Sequence, residues 1–387
     1  MHTYYCLLGN TPQLSHIELA SVVKNATLTK IQESIIAVDL PSDADAEALL
    51  DKLGGTIKII RHIEVFSKPD DQEIIEAAIK VLTKESSKTK IVYGISEIGR
   101  DHLPVFDGIK IKSHLQNLGY SAQYKAGPRA GLPTALLLHK AYVQEIVLIG
   151  SNTGTFLGKT IAVQDIDEWT NVDRNKPYSD RKKGMLPPKV ARMMVNWALA
   201  DVPEDGNPVL YDPFCGSGTI LLEAMALGKT KLIGSDLDPD AVTGTRQNIE
   251  WYSREKDIVV DAKVHVGEVS KVTPTTEVDL IVTEPYLGKP RPNPAKVPYI
   301  IKGLEKLYKG AFKHWATLLA DGAQIVIVMP TIEVESKSGK KTVYSLEKFI
   351  DSLRNLGYTT TSDPVEYYRS QAIVKRSIYK LQYNKEA

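Results

Sequence analysis

The chain has 387 residues, of which 43% are hydrophobic and 25% charged, with 48 Lys and Arg against 47 Asp and Glu. This is the composition of an ordinary globular protein, and the length predicts two or three domains. The two cysteines, Cys6 and Cys215, are too few for a disulfide framework or a Cys-rich zinc site. No stretch of about 18 apolar residues and no signal-peptide pattern occurs, so we expect a cytoplasmic protein with no metal and no membrane span.

The near-neutral total hides an uneven distribution of charge. Residues 110–192 carry 13 Lys and Arg against 6 Asp and Glu, a local charge of +7, so the other 304 residues carry −6. A basic middle of this kind is either a solvated surface or a face that binds phosphates. Net charge alone therefore does not exclude a nucleic-acid partner.

The first 56 residues alternate between apolar strands and amphipathic helices. The pattern predicts strands at 4–8 and 35–38 and helices at 14–23 and 44–53. Ser15 is a candidate N-cap for the first helix, with Glu18 three residues later as in a capping box. Residues 1–56 are thus expected to form a small α+β module.

A second module is expected over residues 57–153, followed by a linker over 154–184. Helical spacing covers 73–82 and 106–118, and apolar strands are predicted at 91–96 and 146–149. From residue 154 the pattern degrades into polar, turn-rich sequence, which is typical of an interdomain connector.

The C-terminal region, 185–387, shows the clearest alternation of strands and helices. Predicted strands lie at 209–211, 231–235, 280–282 and 323–329, separated by helices at 219–227, 241–252 and 299–319. Crossovers of this length predict a parallel, doubly wound, Rossmann-like sheet. The fold class is therefore α/β, with small α+β domains before it.

A glycine-rich turn follows the first strand of this sheet, with the sequence DPFCGSG at 212–218. Such a turn lies where open α/β sheets bind ligands, and Gly216 and Gly218 allow close backbone approach. Asp236, 24 residues after Asp212, ends the next strand and suits the ribose hydroxyls of a nucleoside. Position 221 is leucine rather than a third glycine, so S-adenosylmethionine is a better cofactor candidate than a dinucleotide.

Two further acids accompany this turn. Glu268, after the strand that contains 265–266, is either a contact to the adenine amino group or a helix-start acid. Asp238 resembles the cap of the next helix. The predicted cofactor site comprises Met185, Pro187, Asp212, Phe214, Gly216, Gly218, Asp236 and Glu268.

An acid–Pro–aromatic turn, Glu284, Pro285 and Tyr286, follows the buried strand at 280–282. A carboxylate and a backbone carbonyl that accept the two N–H bonds of an exocyclic amine stabilise the positive charge developing on its nitrogen during methyl transfer. The aromatic ring can stack a base that has left its helix. The alternative is a rigid loop whose glutamate caps a helix. Lys289 and Arg291 come next, either holding substrate phosphates or lying in a Pro-stiffened surface loop.

Segments 212–219 and 283–286 resemble motifs one and four of the Rossmann-fold amino-methyltransferases. The sequence GMLPPK at 184–189 resembles a segment specific to THUMP-containing tRNA guanosine-N2-methyltransferases of the position-ten type. Segments 93–96, 132–135, 160–166 and 173–174 are also similar to that family, so the resemblance covers nearly the whole chain.

The resemblance implies a ferredoxin-like module, a THUMP domain that grips the acceptor end of tRNA, a linker and the methyltransferase. Asp236 would hold the ribose, Glu284 would take the acid position of motif four, and Met185 and Pro187 would lie near the methionine end of the cofactor. The candidate RNA contacts are Arg129, Arg181, Lys182, Lys183, Lys289 and Arg291.

The acid turn departs from that family, which usually has Asp or Asn, two prolines and an aromatic residue. Here the fourth position is Leu287 and the ring comes one position early. The leading hypothesis is methylation of guanosine N2 in tRNA. Two alternatives stay open: methylation of adenine N6 or cytosine N4 in DNA or another RNA, and a non-catalytic RNA-binding relative. A small activating subunit is undetermined by the sequence.

Overall fold

A computed structural model describes residues 1–24, 26–84, 90–103, 107–127, 131–180, 185–335, 341–368 and 372–385. The chain divides into two units, Met1–Thr170 and Asn171–Ala387. In the described residues, no helix has the length and apolarity needed to cross a membrane.

The first unit is built on one eight-stranded sheet. Its elements are β1 (His2–Leu8), α1 (Pro12–Val22), β2 (Leu28–Gln32), β3 (Ile35–Leu40), α2 (Asp43–Lys52), β4 (Thr56–Phe66), α3 (Asp71–Lys84), β5 (Lys90–Ile98), α4 (Ile109–Asn117), β6 (Ser121–Tyr124), α5 (Thr134–His139), β7 (Val143–Ser151), β8 (Gly154–Val163) and α6 (Ile166–Asn175), which crosses into the second unit. The strand order is β2-β3-β1-β4-β8-β7-β5-β6.

Strands β4 and β8 lie at the centre of this sheet, and the sequence patterns predicted neither of them. β4 pairs antiparallel with β1 on one side and with β8 on the other. The segments expected as separate modules, 1–56 and 57–153, therefore contribute strands to the same sheet. The expected linker, 154–184, contains β8 and α6, and the division between the two units falls at residue 170.

The predicted capping box of the first helix is wrong. Helix α1 begins at Pro12 after Thr11, and the Ser15 hydroxyl donates to the carbonyl of Thr11 at 2.8 Å, from within the helix. The Glu18 side chain is buried and accepts hydrogen bonds from the amides of Gly54 and Gly55, both at 2.8 Å. Glu18 does not cap its own helix because the two buried amides beyond α2 need a hydrogen-bond acceptor, and its carboxylate supplies one.

A buried polar network ties four strands of the first unit together. Lys58 of β4 donates to the Glu145 carboxylate of β7 at 2.8 Å and to the Leu132 carbonyl at 2.9 Å. The hydroxyls of Ser96 and Thr160, from β5 and β8, donate to the same carboxylate. Every charge in the cluster is thus hydrogen-bonded, which is what burial of an ion pair requires.

The second unit is the doubly wound sheet that the sequence predicts. Its elements are α7 (Pro188–Ala198), β9 (Leu210–Asp212), α8 (Thr219–Ala226), β10 (Lys231–Asp236), α9 (Pro239–Lys256), β11 (Asp261–Val266), β12 (Val278–Thr283), α10 (Val297–Trp315), β13 (Leu319–Glu335), β14 (Lys341–Tyr344), α11 (Glu347–Ser352), β15 (Tyr358–Thr360), β16 (Val365–Tyr367) and β17 (Val374–Tyr383). The main path runs β11-β10-β9-β12-β13-β17-β15.

The strand order places a topological switch point between β9 and β12. Strands β9 to β13 are parallel, while β17 is antiparallel to β13 and to β15. The chain winds from β9 outward to β11 and then returns to β12 on the other side of β9. Open sheets of this kind bind ligands at the carboxyl ends of the strands beside the switch. The glycine turn and the acid turn follow these two strands.

Helix α10 covers the β12–β13 side of the sheet through an aromatic core. Phe312 and Trp315 are buried, with ring centroids 4.8 Å apart, and Phe312 meets Tyr358 edge-on at 4.9 Å. The Tyr358 hydroxyl donates to the Phe312 carbonyl at 2.8 Å, so its polar end is also satisfied. These contacts hold α10 against the strands that precede and follow the acid turn.

Candidate active site

The glycine turn between β9 and α8 is held in a tight, defined shape. Gly216 and Gly218 have φ values of +52° and +78°, which favour glycine, and a Cβ on Gly218 would lie 2.8 Å from the Thr245 methyl. The Thr245 hydroxyl donates to the Gly216 carbonyl at 2.7 Å, and the Cys215 amide donates to the Ser235 carbonyl at 2.9 Å. The turn is therefore a preformed backbone cradle at the edge of the sheet.

Asp212 ends β9 and is buried, with 1% of its surface exposed. Its Oδ1 accepts hydrogen bonds from the Thr283 hydroxyl at 2.7 Å and from the Phe214 amide at 3.2 Å. Burial raises the pKa of this carboxyl to about 7, and the nearby charges of Asp236 and Glu284 act in the same direction. A cationic group bound at Oδ2 would favour the ionised form.

Asp236 ends β10, and neighbouring backbone amides hold its carboxylate. Oδ2 accepts from the Gly216 amide and Oδ1 from the Asp238 amide, each at 3.0 Å. The first of these bonds places Asp236 beside the glycine turn, while its role in holding a ribose stays a prediction. The Leu237 side chain, next in sequence, is 72% exposed. Sequence reasoning missed this apolar surface, although an apolar residue directly after a strand-end acid was a usable signal.

Glu268 lies just beyond β11 on an exposed turn. Its carboxylate accepts from the Ser270 hydroxyl at 3.0 Å and pairs with the Lys271 ammonium at 2.6 Å. The hydrogen bond from Lys271 lowers the pKa of the Glu268 carboxyl. Its backbone carbonyl also accepts from the Lys271 amide, as expected of a turn residue. Contact with adenine stays a prediction for this residue.

The acid turn after β12 is anchored by side chains from distant parts of the chain. The Arg376 Nε, on β17, donates to Glu284 Oε1, and both side chains are mostly buried. The Tyr308 hydroxyl, on α10, donates to the Tyr286 carbonyl at 2.6 Å. Pro285 is buried, whereas the Tyr286 side chain is 58% exposed. Arg376 and Tyr308 were both missed from the sequence, because nothing in the local pattern around them indicates a contact with the turn.

One hydrogen bond joins the two halves of the site. Thr283, the last residue of β12, is buried and donates to Asp212, the last residue of β9. Glu284 follows directly, and its charge contributes to the raised pKa of Asp212. Three carboxylates, those of Asp212, Asp236 and Glu284, therefore lie at the ends of adjacent strands at one edge of the sheet. Arg376 offsets the charge of Glu284, so the two aspartates are the pair that suits a ligand with positive charge.

Met185 and Pro187 precede α7, whose first turn is fixed on Pro187. The Pro187 carbonyl accepts from the amides of Val190 at 2.9 Å and Ala191 at 3.0 Å. The buried pair between Arg192 of α7 and Glu223 of α8, at 2.6 Å, ties this helix to the one that follows the glycine turn. The sequence analysis did not predict helix α7. Because the pair fixes α7 against α8, it also fixes the position where the Met185–Pro187 segment enters the helix.

A buried amide clamps the segment around Tyr178 to the back of the glycine turn. Asn248 of α9 accepts from the Tyr178 amide at 2.8 Å and donates to the carbonyls of Tyr178 at 2.9 Å and Ser217 at 2.8 Å. The Tyr178 ring covers Gly244, where a Cβ would lie 2.1 Å from the ring. A residue without a side chain is thus required at position 244 of α9 for the Tyr178 ring to pack there. The sequence analysis missed this contact.

The candidate RNA contacts are only partly within the described residues. Arg129, Arg181, Lys182 and Lys183 lie outside them, while Lys289 and Arg291 are exposed in the loop after Gly288. Within the ranges that the structure describes, no group of His, Cys, Asp and Glu side chains is arranged to hold a metal ion.

Residues 178–345 match the family model described as "RMKL-like, methyltransferase domain". The matched segment contains the glycine turn, Asp236 and the acid turn. This part of the chain is therefore similar to known methyltransferase domains. The expected Rossmann-like fold of the C-terminal region is confirmed by the strand order, and the match agrees with the expectation of a methyltransferase.

Two curated relatives are similar to part of this chain, and each is named tRNA (guanine(10)-N2)-dimethyltransferase. The Methanocaldococcus jannaschii protein is 33% identical over 169 residues, covering 42% of this chain and 45% of the relative. The Methanothermobacter thermautotrophicus protein is 34% identical over 147 residues, covering 38% and 39%. The chain thus spans less than half the length of these two relatives.

A solved structure resembles the whole chain in fold. TrmN from Thermus thermophilus aligns with a TM-score of 0.58 at 14% identity, covering 99% of this chain and 100% of that one. At this identity the likeness establishes the fold alone. It extends beyond the methyltransferase domain to the N-terminal unit.

Proposed function

We propose that this protein uses S-adenosylmethionine to methylate the exocyclic N2 amine of a guanosine in tRNA. The observation that carries the proposal is the junction at Thr283, which sets an acid–Pro–Tyr turn directly beside the buried carboxyl of the glycine turn. A cofactor acid and an amine-binding acid then face the same edge of the sheet. The names of the curated relatives support tRNA and guanine N2 as the substrate.

The residues around the glycine turn fit this cofactor. Asp236 is fixed to accept from the ribose hydroxyls, and Leu237 offers an exposed apolar surface for adenine. Asp212 uses Oδ1 for its two hydrogen bonds, and Oδ2 makes none with the described residues, which leaves it for the methionine ammonium. Met185 and Pro187 are proposed to line the methionine end. The cofactor's sulfonium supplies an electrophilic methyl group.

The acid turn is proposed to hold the guanine amine. Glu284 accepts one N–H bond and the Pro285 carbonyl the other, so that the nitrogen lone pair points at the methyl group, while Tyr286 stacks the base. With the cofactor bound, the N–C bond would form as the S–C bond of the sulfonium breaks, and the nitrogen would become cationic. The amine then releases one proton to Glu284 and from there to water. The negative charge of Glu284 stabilises the cationic transition state.

The N-terminal unit is proposed to bind the tRNA, as the resemblance to THUMP-containing enzymes implies. The basic middle of the chain, with a local charge of +7 over residues 110–192, supports this role. In this proposal the ferredoxin-like and THUMP-like parts share the eight-stranded sheet of the first unit, Met1–Thr170, and the methyltransferase lies in the second unit, Asn171–Ala387. A tRNA substrate also favours the cytoplasm as its location.

The experiment is methyl transfer from labelled S-adenosylmethionine to unmodified tRNA transcripts, followed by nucleoside digestion. The proposal expects the label in N2-methylated guanosine and its loss when Asp236 is changed to Asn. Label in N6-methyladenosine or N4-methylcytidine would support the alternative base. Saturable cofactor binding without transfer to any tRNA would favour a non-tRNA substrate, and no cofactor binding at all would favour the non-catalytic relative.

A further inference from the structure

Arg376 is brought to the acid turn from the far side of a strand. It lies on β17 opposite Pro330 of β13, and β13 separates β17 from β12. Its Nε nevertheless donates to Glu284 Oε1, and 25% of the Arg376 side chain and 14% of the Glu284 side chain are exposed. The Tyr367 ring, 5.9 Å from the Arg376 Cζ, backs the guanidinium. The pair is therefore partly desolvated, and it lies next to the proposed amine site.

The guanidinium of Arg376 can donate further hydrogen bonds besides the one in its ion pair with Glu284. Five N–H donors lie in one plane, and the bond to Glu284 from Nε uses one of them. The terminal nitrogens keep four donors beside the carboxylate, in a fixed orientation. The site thus presents an acceptor, Glu284, next to a row of donors.

We propose that Arg376 reads the substrate base, donating a hydrogen bond to a ring nitrogen next to the amine that Glu284 holds. In guanine the amine is on C2 and the adjoining acceptor is N3. The inference rests on the proposed function, and it deepens that function by assigning a second base contact. It also accounts for the glutamate at position 284, where the resembling family usually has Asp or Asn. The ion pair with Arg376 holds in place a side chain that is one methylene longer than aspartate.

The competing interpretation is an ion pair that only stabilises the fold. A partly buried pair is weak evidence for stability, because desolvation offsets much of the attraction. Lys375 provides the internal comparison: it is the next residue on β17, pairs with Glu333 at 3.1 Å and has a similar exposed fraction, 23%. A structural role predicts similar behaviour for the two cations, whereas base reading predicts an effect on substrate at Arg376 alone.

The test pairs protein variants with a base analogue. Wild-type protein, Arg376→Gln, Arg376→Lys and Lys375→Gln are assayed with synthetic tRNA carrying guanosine or 3-deazaguanosine, which lacks the N3 acceptor, at the target position. We expect Arg376→Gln to lower kcat/KM on guanosine by about 10-fold to 100-fold, the size of a lost hydrogen bond to a charged group. Arg376→Lys should recover part of that loss. Lys375→Gln and the cofactor Kd of every variant should stay unchanged.

The analogue decides the assignment. We expect 3-deazaguanosine to cost the wild type a similar factor and to cost Arg376→Gln nothing further, because the contact is already gone. Equal losses in both proteins, or an unimpaired wild type on the analogue, would overturn the proposal. If Arg376→Gln does not fold, the wild-type and Arg376→Lys comparison still decides it. Failure of the proposed function looks different, since the wild type would then not methylate guanosine.

Discussion

The cofactor half and the amine half of the site are held in place by different means. In the proposed cofactor half, Asp236 is fixed by the amides of Gly216 and Asp238, and Asp212 by the Phe214 amide together with the Thr283 hydroxyl from β12. Glu284 and its turn depend on Arg376, 92 residues away, and on Tyr308. The first arrangement follows largely from a short motif, whereas the second exists only after the C-terminal strands have assembled. Changes in the two halves should therefore have separable effects.

The largest expected effect is a loss of kcat in Glu284→Gln, without a loss of cofactor binding. The change keeps the size of the side chain but removes the negative charge that stabilises the developing cation and takes the proton. We expect kcat to fall by about 100-fold to 1,000-fold, as for other losses of transition-state charge stabilisation, while the cofactor Kd stays within about twofold. Single-turnover methyl transfer and calorimetric cofactor titration measure the two quantities. An equal loss of cofactor binding would show that the halves are not separate.

Next in size is Asp212→Asn, which acts on the cofactor half. The amide oxygen can keep both hydrogen bonds made by Oδ1, so the turn should persist, but the charge that attracts a cationic ligand is gone. We expect the cofactor Kd to rise by about 10-fold to 100-fold. Thermal unfolding provides the control: at pH 8 the variant should melt no lower than the wild type, because an ionised buried carboxylate costs stability. A much lower melting temperature would point to a structural role instead.

The same carboxyl gives the wild type a pH dependence that the variant lacks. Its folded pKa of about 7 lies above the ordinary value of 3.8, so the free protein takes up a proton here as the pH falls through 7. A cationic ligand favours the ionised form, and binding below pH 7 must therefore release that proton. We expect cofactor affinity to fall by up to about tenfold per pH unit below 7. Titrations of the wild type and Asp212→Asn over pH 5.5–8.5 measure the difference, and parallel curves would exclude Asp212 as its source.

The contrast between parts held by local contacts and parts held by distant ones also explains which features the sequence predicts. From β9 to β13, the strands and helices of the doubly wound sheet follow from apolar periodicity, and the turn at 212–218 and the acid at the end of β10 follow from the same local pattern and its glycine spacing. These features are local, and their geometry is fixed by the backbone within a few residues. The position of Asp236 beside Gly216 is the product of such a motif.

The features that escaped prediction depend on contacts distant in sequence. The residues of β4 mix apolar side chains with Arg61, His62 and Glu64, so no strand pattern stands out, although the strand lies at the centre of its sheet. Glu18 matched a capping box but is used by the amides of Gly54 and Gly55. In each case residues distant in sequence determine the local structure or the hydrogen-bond partner, and the pattern of one segment contains no information about them.

The smallest expected effect concerns Glu268, where the cofactor half is least enclosed. Glu268→Gln removes the charge that pairs with Lys271 and keeps an acceptor oxygen. If the carboxylate also receives the adenine amino group, the cofactor Kd should rise by about fivefold, the effect of weakening one hydrogen bond. Lys271→Gln is the matched control, because it breaks the same surface pair without touching the ligand, and its Kd should not change. Since the side chains of Glu268 and Lys271 are both at least half exposed, neither variant should alter the melting temperature. Equal shifts in Kd for the two variants would assign the effect to the turn, and no shift in either would leave adenine recognition to the apolar surface at Leu237.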